Sequence, residues 1–278
     1  MGTVRQLRTD SLNYHYSVDQ QQTEEYALHC HPFYEVFYFI SGEVSYLIEG
    51  KRYIPTPHSL LLIPPNVFHG VKIESTVTYA RYALHFLPGL LPIEMRTTLL
   101  SPFHSQGDSS DFYFPGAADS GMTSFFEQLM DCREMDDDIR ELSTRIRLEA
   151  LLSQLLFMSR SRKDRRTTEL HSQTMTAVLA YLNEWLTAEI TLDELSARFF
   201  ISKHHLNKMF RKATGTTIGH YILHKRVVLA SQLMQEGHPA SAAAINAGFQ
   251  HYSSFYRAYK KIYGHSPTER GDQISLRF

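Results

Sequence analysis

Residues 202–215 read SKHHLNKMFRKATG and residues 251–264 read HYSSFYRAYKKIYG; the second stretch repeats the pattern of the first, displaced by 49 positions. Leu206 answers to Phe255, Phe210 to Tyr259, Lys208 to Arg257, Arg211-Lys212 to Lys260-Lys261, and Gly215 to Gly264. Each copy predicts a helix with an apolar inner stripe, a basic outer stripe and a terminating glycine. Between them, Thr217 to about Gln235 predicts one long helix, with Ile218, Ile222, Val228, Leu229 and Leu233 inward. Two such units in tandem imply a protein that reads two stretches of a DNA groove.

The flanking residues complete each unit. Met175–Thr187 predicts an opening helix, and Thr191-Leu192-Asp193-Glu194 is a capping box before the next, with Leu195 and Phe199 inward. Ser202 is a second N-cap. The outer face then carries Lys203, His204, Asn207 and Lys208. Lysine bonds guanine acceptors or a phosphate, asparagine pairs with adenine, and histidine donates or accepts. A merely solvated helix face is the plain alternative. The second unit runs through a helix at 240–247, a turn at Gly248-Phe249 and a helix from His251. Tyr252, Ser253, Ser254 and Arg257 point outward there.

Residues 173–270 resemble the DNA-binding domain of the AraC/XylS-type transcription regulators. The resemblance rests on Gly248-Phe249 through Ser254-Phe255, Arg257, Lys260-Lys261, Gly264, Ser266-Pro267 and Arg270, and on Ser202, Leu206, Phe210-Arg211-Lys212, Gly215, Tyr221, Arg226, Ala230 and Leu233. It implies that each recognition helix enters one of two successive major-groove segments. His204, Asn207, Lys208, Tyr252, Ser253, Ser254 and Arg257 are the implied readers. The chain departs from the family at Ala242 and Ala243, where an acidic and a bulky aliphatic residue are usual. The small run 240–244 is expected to pack less well, at about 0.8 kcal/mol per buried methylene lost.

The first half reads differently. Runs at Glu35–Ile40, Val44–Ile48, Ser59–Ile63 and Thr76–Phe86, separated by turn residues, predict an antiparallel sandwich or barrel. Residues 1–25 are polar and read as an extended arm; residues 88–121, with Pro88, Pro92, Pro102, Gly107, Pro115 and Gly116, read as irregular. Helical periodicity begins near Met122, with Phe125, Phe126, Leu129 and Met130, then Ile139, Leu142 and Ile146, then Leu148, Leu151, Leu152, Leu155 and Met158. That apolar surface covers either the barrel or a second copy of the chain.

His29-Cys30-His31-Pro32-Phe33-Tyr34-Glu35 is the most chemically suggestive stretch. Residues two apart on a strand share a face, so His29, His31 and Glu35 point one way, and Cys30 has the opposite parity. His69 returns from a later strand. Three imidazoles and one carboxylate suit a divalent transition metal such as Zn, Ni, Mn or Fe; the alternative is a polar pocket floor. Arg81 and His85 share a parity on a later strand and extend the effector pocket of His29, His31, Glu35 and His69. The pattern resembles the cupin metal motif over residues 27–86, which also occurs in the sensor half of AraC-type regulators. It departs at Thr23, His58 and Asn66, where cupins usually carry glycine.

Charge divides the chain in the same way. Residues 1–160 hold 12 Lys+Arg against 20 Asp+Glu, and the remainder 16 against 9. Arg160–Arg166 carries five basic residues. The two cysteines form no disulfide framework, and no apolar run has the length of a signal peptide or membrane span, so a cytoplasmic protein without membrane contact is expected.

The expected architecture is α+β. A cupin-like antiparallel barrel with flanking helices (1–160) binds an effector and dimerises; a linker (161–172) joins it to an all-α domain of two helix-turn-helix units connected by a long helix (173–278). The expected function is sequence-specific binding of double-stranded DNA, as a homodimer answering to a small molecule. The resemblance implies activation through RNA polymerase, often in carbohydrate catabolism. No catalytic residue is expected. A metal-dependent cupin enzyme tethered to DNA, or a barrel serving only as a dimer scaffold, are the alternatives.

Overall fold

The computed structural model describes residues 5–104, 112–116, 120–161, 173–235 and 237–268. Its described strands are β1 (Arg5–Arg8), β2 (Leu12–Asp19), β3 (Tyr34–Ser41), β4 (Val44–Ile48), β5 (Lys51–Tyr53), β6 (Ser59–Ile63), β7 (His69–Ile73), β8 (Tyr79–Phe86) and β9 (Tyr113–Phe114). They form a six-stranded sheet in the order β1-β2-β8-β3-β6-β9 and a three-stranded sheet in the order β5-β4-β7. The larger sheet is antiparallel at every pairing.

Within the stretch that reads as an extended arm, Arg5–Arg8 and Leu12–Asp19 are strands of the larger sheet. Leu12 to Asp19 pair along their whole length with β8, and Leu12 and Tyr14 are fully buried. Polar Asn13, His15 and Ser17 alternate with apolar Leu12, Tyr14 and Tyr16, so both faces of β2 are used. A stretch that reads as polar overall is thus a strand of the main sheet.

One face of that sheet is apolar. Tyr14, Tyr34, Val36, Tyr38, Leu60, Leu62, Tyr82, Leu84 and Phe86 form one core with helices α1 (Ile93–Leu100), α2 (Met122–Asp131) and α3 (Asp137–Ser161). The segment expected to be irregular therefore contains α1, whose N-cap is Pro92, a position where proline costs no helical hydrogen bond. Phe126, Leu129, Met130, Leu148, Leu151, Leu152 and Leu155 are buried on the sheet. Ile139, Leu142 and Ile146 are not: they stay 52%, 50% and 54% exposed. The apolar surface of α3 thus splits into a stripe that covers the sheet and a second that is left half exposed.

The chain divides into two compact units, the second comprising 169–273 together with the β4–β5 turn at 47–52. Apart from Ser161, the linker expected at 161–172 lies outside the described residues, as do 269–278 of the second domain. The second unit contains α4 (Gln173–Glu184), α5 (Leu192–Phe199), α6 (Lys203–Thr214), α7 (Ile218–Gln235), α8 (Ala240–Asn246) and α9 (Tyr252–Tyr263). Thr191 caps α5 by accepting from the Glu194 amide at 3.1 Å, and Ser202 caps α6 from the His205 amide at 3.4 Å. Gly215 and Gly264 both end their helices in the left-handed conformation. Ala243, Ala244 and Ala247 are buried in one cluster with Val227, Ala230, Phe249 and Phe255, while Ser241 of the small run is exposed. Among the described residues, no helix is long and apolar enough to cross a membrane.

Candidate functional site

The helical unit presents the first candidate surface. Leu206 and Phe210 are buried on the inner side of α6, and Phe255, Ala258 and Tyr259 on that of α9. Their outer sides leave Lys203, His204, Lys208, Tyr252, Ser253 and Arg257 exposed and Ser254 half-buried. Lys203 pairs with Asp193 at 2.5 Å while remaining half exposed, and the Arg257 guanidinium donates to the Ser253 carbonyl of its own helix. Asn207 serves the fold directly, because its Oδ1 accepts from the Ile218 amide at 3.4 Å and caps the first turn of α7.

What fixes the two outer faces is α7. Its 18 residues span about 27 Å at 1.5 Å per residue. Arg226, on α7, donates to the carbonyls of Leu186 (2.8 Å) and Ala188 (2.6 Å), tying the segment before α5. Gly248 closes the turn before α9 at φ +92°, and a Cβ there would stand 2.7 Å from the Thr187 carbonyl oxygen. Both helix-turn-helix units are therefore braced against one spacer.

The second candidate site lies in the β unit. His29 and His69 form an antiparallel bridge, each amide donating to the other's carbonyl at 2.9 and 3.0 Å. His31 follows His29, and β3 brings Glu35 to the same place. The spacing of His29, His31 and Glu35 and the return of His69 thus converge as the strand parity requires: donor atoms of His29, His31 and His69 lie within 4.8 Å of one another, as do those of His31, Glu35 and His85. Glu35 Oε2 is 3.1 Å from His31 Nε2 and 3.0 Å from His69 Nε2.

The ring orientations carry chemical information. His29 Nδ1 lies 2.9 Å from the Ala27 carbonyl and His69 Nδ1 2.8 Å from the Val67 carbonyl. A carbonyl only accepts, so each Nδ1 bears the proton and, in the neutral ring, each Nε2 presents its lone pair. His69 Nε2 then faces a carboxylate oxygen, lone pair to lone pair, at 3.0 Å. Such a contact needs a cation between the two atoms, either a proton or a metal ion. Anchoring of imidazole Nδ1–H on a carbonyl is also the usual support of a metal-bound histidine.

Electrostatics agree with ligand-ready groups. Burial pushes the His31 imidazole down to about 4 and lowers His29, keeping both neutral at pH 7. Burial opposes ionisation of Glu35, but the neighbouring His85, His69 and His31 outweigh it and hold its carboxyl well below the usual range. Adjacent donors bound to one ion at about 2.1 Å stand about 3.0 Å apart in octahedral and about 3.4 Å apart in tetrahedral geometry, and the two Glu35–imidazole distances match the former. Imidazole and carboxylate are donors that a divalent transition metal takes, and they lie in two triads that share His31.

Arg81 stands apart from this cluster. It shares the face of Glu35 and His85 but pairs with Asp19 at 2.6 Å and lies over the Tyr79 ring. His15 and Ser17, on β2, share that inner face and were not legible as site residues while 1–25 read as an arm. The period-2 alternation of 12–17 is the signal that finds them. The buried Ser17 hydroxyl has no hydrogen-bond partner among the described residues. The departures from glycine also resolve: His58 and Asn66 adopt φ +61° and +65°, the left-handed conformation glycine would supply, at a cost of roughly 1–2 kcal/mol for an L residue. The His58 ring hydrogen-bonds the Tyr38 hydroxyl at 2.9 Å.

Comparison with known proteins covers both units. The family model of the AraC-like ligand binding domain matches residues 15–156, and that of a helix-turn-helix domain matches residues 195–271. The "Probable transcriptional regulator LumQ" of Photobacterium leiognathi is 26% identical over 226 residues, 79% of this chain and 84% of its own. The HTH-type transcriptional regulator YfiF of Bacillus subtilis is 24% identical, covering 86% of this chain and 77% of its own. The multiple antibiotic resistance protein MarA of Escherichia coli is 29% identical over 104 residues, 37% of this chain and 80% of its own.

Proposed function

The chain belongs to the AraC-type transcription regulators, and on that premise we propose that it activates transcription from DNA sites read by α6 and α9 when a small molecule occupies its β unit. The observation that carries the DNA reading is the pair of matched recognition helices, each buried on one side, polar and basic on the other, and braced on one spacer helix. Lys208 and Arg257 occupy equivalent positions on the two exposed faces and are the proposed base readers. Selection of duplexes from a random library, followed by footprinting, tests it: two short boxes about 10 base pairs apart are expected for each monomer.

For the β unit we propose that His29, His31, Glu35 and His69 hold a divalent metal ion. The support is the His69–Glu35 contact described above. The ion would supply a fixed positive charge and an open coordination position. Burial holds the His29 and His31 imidazoles neutral, and the neighbouring histidines keep the Glu35 carboxyl ionised. A polyhydroxylated effector, such as a carbohydrate, suits the polar row of His15, Ser17 and Arg81 on the same face. Elemental analysis of protein purified without an affinity tag, with His31→Ala as control, tests the ion. Metal absent from the wild type after reconstitution would leave only a polar pocket.

The proposed assembly is a cytoplasmic homodimer that contacts RNA polymerase, with the exposed α3 stripe as the dimer surface. No general acid or base beyond the ligand cluster is proposed, and the named relatives carry the names of transcriptional regulators.

A further inference from the structure

We propose that His85 is a ligand of the ion in this cluster, so that the ion has four imidazole donors and one carboxylate in place of three imidazoles and one carboxylate. The proposal rests on the metal reading above and extends it to a residue from another strand. β8 places His85 directly opposite Glu35 in the sheet register. Its Nε2 is 3.6 Å from Glu35 Oε1, and its ring is 5.0 Å from that of His31, nearly perpendicular to it. Donors that share one ion at about 2.1 Å are about 3.0 Å apart when adjacent and about 4.2 Å apart when opposite. The His85–Glu35 distance, measured to Oε1 rather than to the Oε2 that His31 and His69 approach, falls between these limits.

The three donors His31, Glu35 and His85 also form a group of their own within 4.8 Å. Two imidazoles and a carboxylate on one side of an ion leave the other positions open. His69 takes one of these through its Nε2, and His29, the most exposed member, takes another. His85 is buried, as are Glu35 and His69, so its participation draws the ion away from the exposed His29. His15 stacks on His85 with ring centroids 6.1 Å apart and planes 19° from parallel, which makes His15 a positioning residue for the ring. Five protein donors exceed the four of a structural zinc site and suit an ion that prefers five or six, such as Fe, Mn, Co or Ni. One position then remains for an oxygen of the effector.

The test uses the full chain loaded with Co(II). X-ray absorption counts the coordinated imidazoles, and the visible d–d bands report coordination number. The wild type is expected to show four imidazoles and the weak bands of a five- or six-coordinate ion. His85→Ala is expected to show three, with Co(II) affinity lowered at least about tenfold. Three imidazoles in the wild type, or an unchanged count in His85→Ala, would overturn the proposal while the metal reading stands. Failure of the wild type to bind Co(II) at all would overturn both. The wild-type count decides even if the variant does not fold.

Discussion

At the scale of single residues, burial and charge separate groups that read alike in the sequence. Lys208 and Arg257 are exposed at equivalent positions of α6 and α9, whereas Asn207, one residue from Lys208, caps α7. Lys208→Ala and Arg257→Ala are each expected to cost roughly 1–3 kcal/mol of specific binding and to relax preference at one base position. Titration against operator variants checks this; equal weakening on every sequence, with a shallower salt slope, would mean phosphate contact instead. Asn207→Ala should lower the stability of the helical unit as well as its DNA affinity. His224 offers a pH test. Burial, then Lys225 and His220, lower its imidazole to about 4 from 6.5. The unfolded chain therefore binds the proton more readily, and stability is full above pH 6.5 and falls as pH drops towards 4, by up to about 3 kcal/mol. Urea midpoints of the helical unit in the wild type and His224→Asn should converge as the pH falls from about 7 to about 5. Parallel pH profiles would contradict that source. Of the β-unit cluster, His29, His31, Glu35 and His69 were legible from parity and spacing. So were Arg81 and His85 as one strand face, though only His85 reaches the cluster: four residues of strand carry Arg81 about 13 Å further along.

At the scale of elements, the sequence was most legible where apolar periodicity coincided with a cap or a terminating glycine. Such signals bound α5, α6 and α9, whose caps and ends fall where Thr191, Ser202, Gly215 and Gly264 place them. It was least legible where one face of an element is polar or where a helix starts among prolines. β2 reads as an arm because Asn13, His15 and Ser17 point to the inner face, and α1 is hidden among prolines, one of which starts it. Two predictions belong here. Gly248→Ala forces a Cβ to within 2.7 Å of the Thr187 carbonyl at a left-handed φ, and is expected to destabilise the helical unit by about 2 kcal/mol or more. Its urea midpoint measures this, and an unchanged midpoint would show that the turn can relax. Leu142→Glu places a charge in the exposed stripe of α3 without touching the core that Leu148 to Leu155 form with the sheet. Sedimentation equilibrium should show a dimer for the wild type and a monomer for the variant, with unchanged circular dichroism. A variant that still dimerises would move the interface elsewhere.

At the scale of the whole molecule, an acidic β unit and a basic helical unit share one chain, each with a surface that its own packing leaves unfilled. The β unit keeps a buried carboxylate among imidazoles; the helical unit keeps two polar helix faces on one spacer. DNA recognition by both faces at once is the premise on which every regulatory consequence depends. Hydroxyl-radical footprinting of the full chain on a duplex selected from a random library tests it most directly. Two protected segments one helical turn apart on the same face of the DNA are predicted for each bound monomer, with one segment lost in Arg257→Ala and the other in Lys208→Ala. A single short protected segment per monomer, unchanged in both variants, would contradict it.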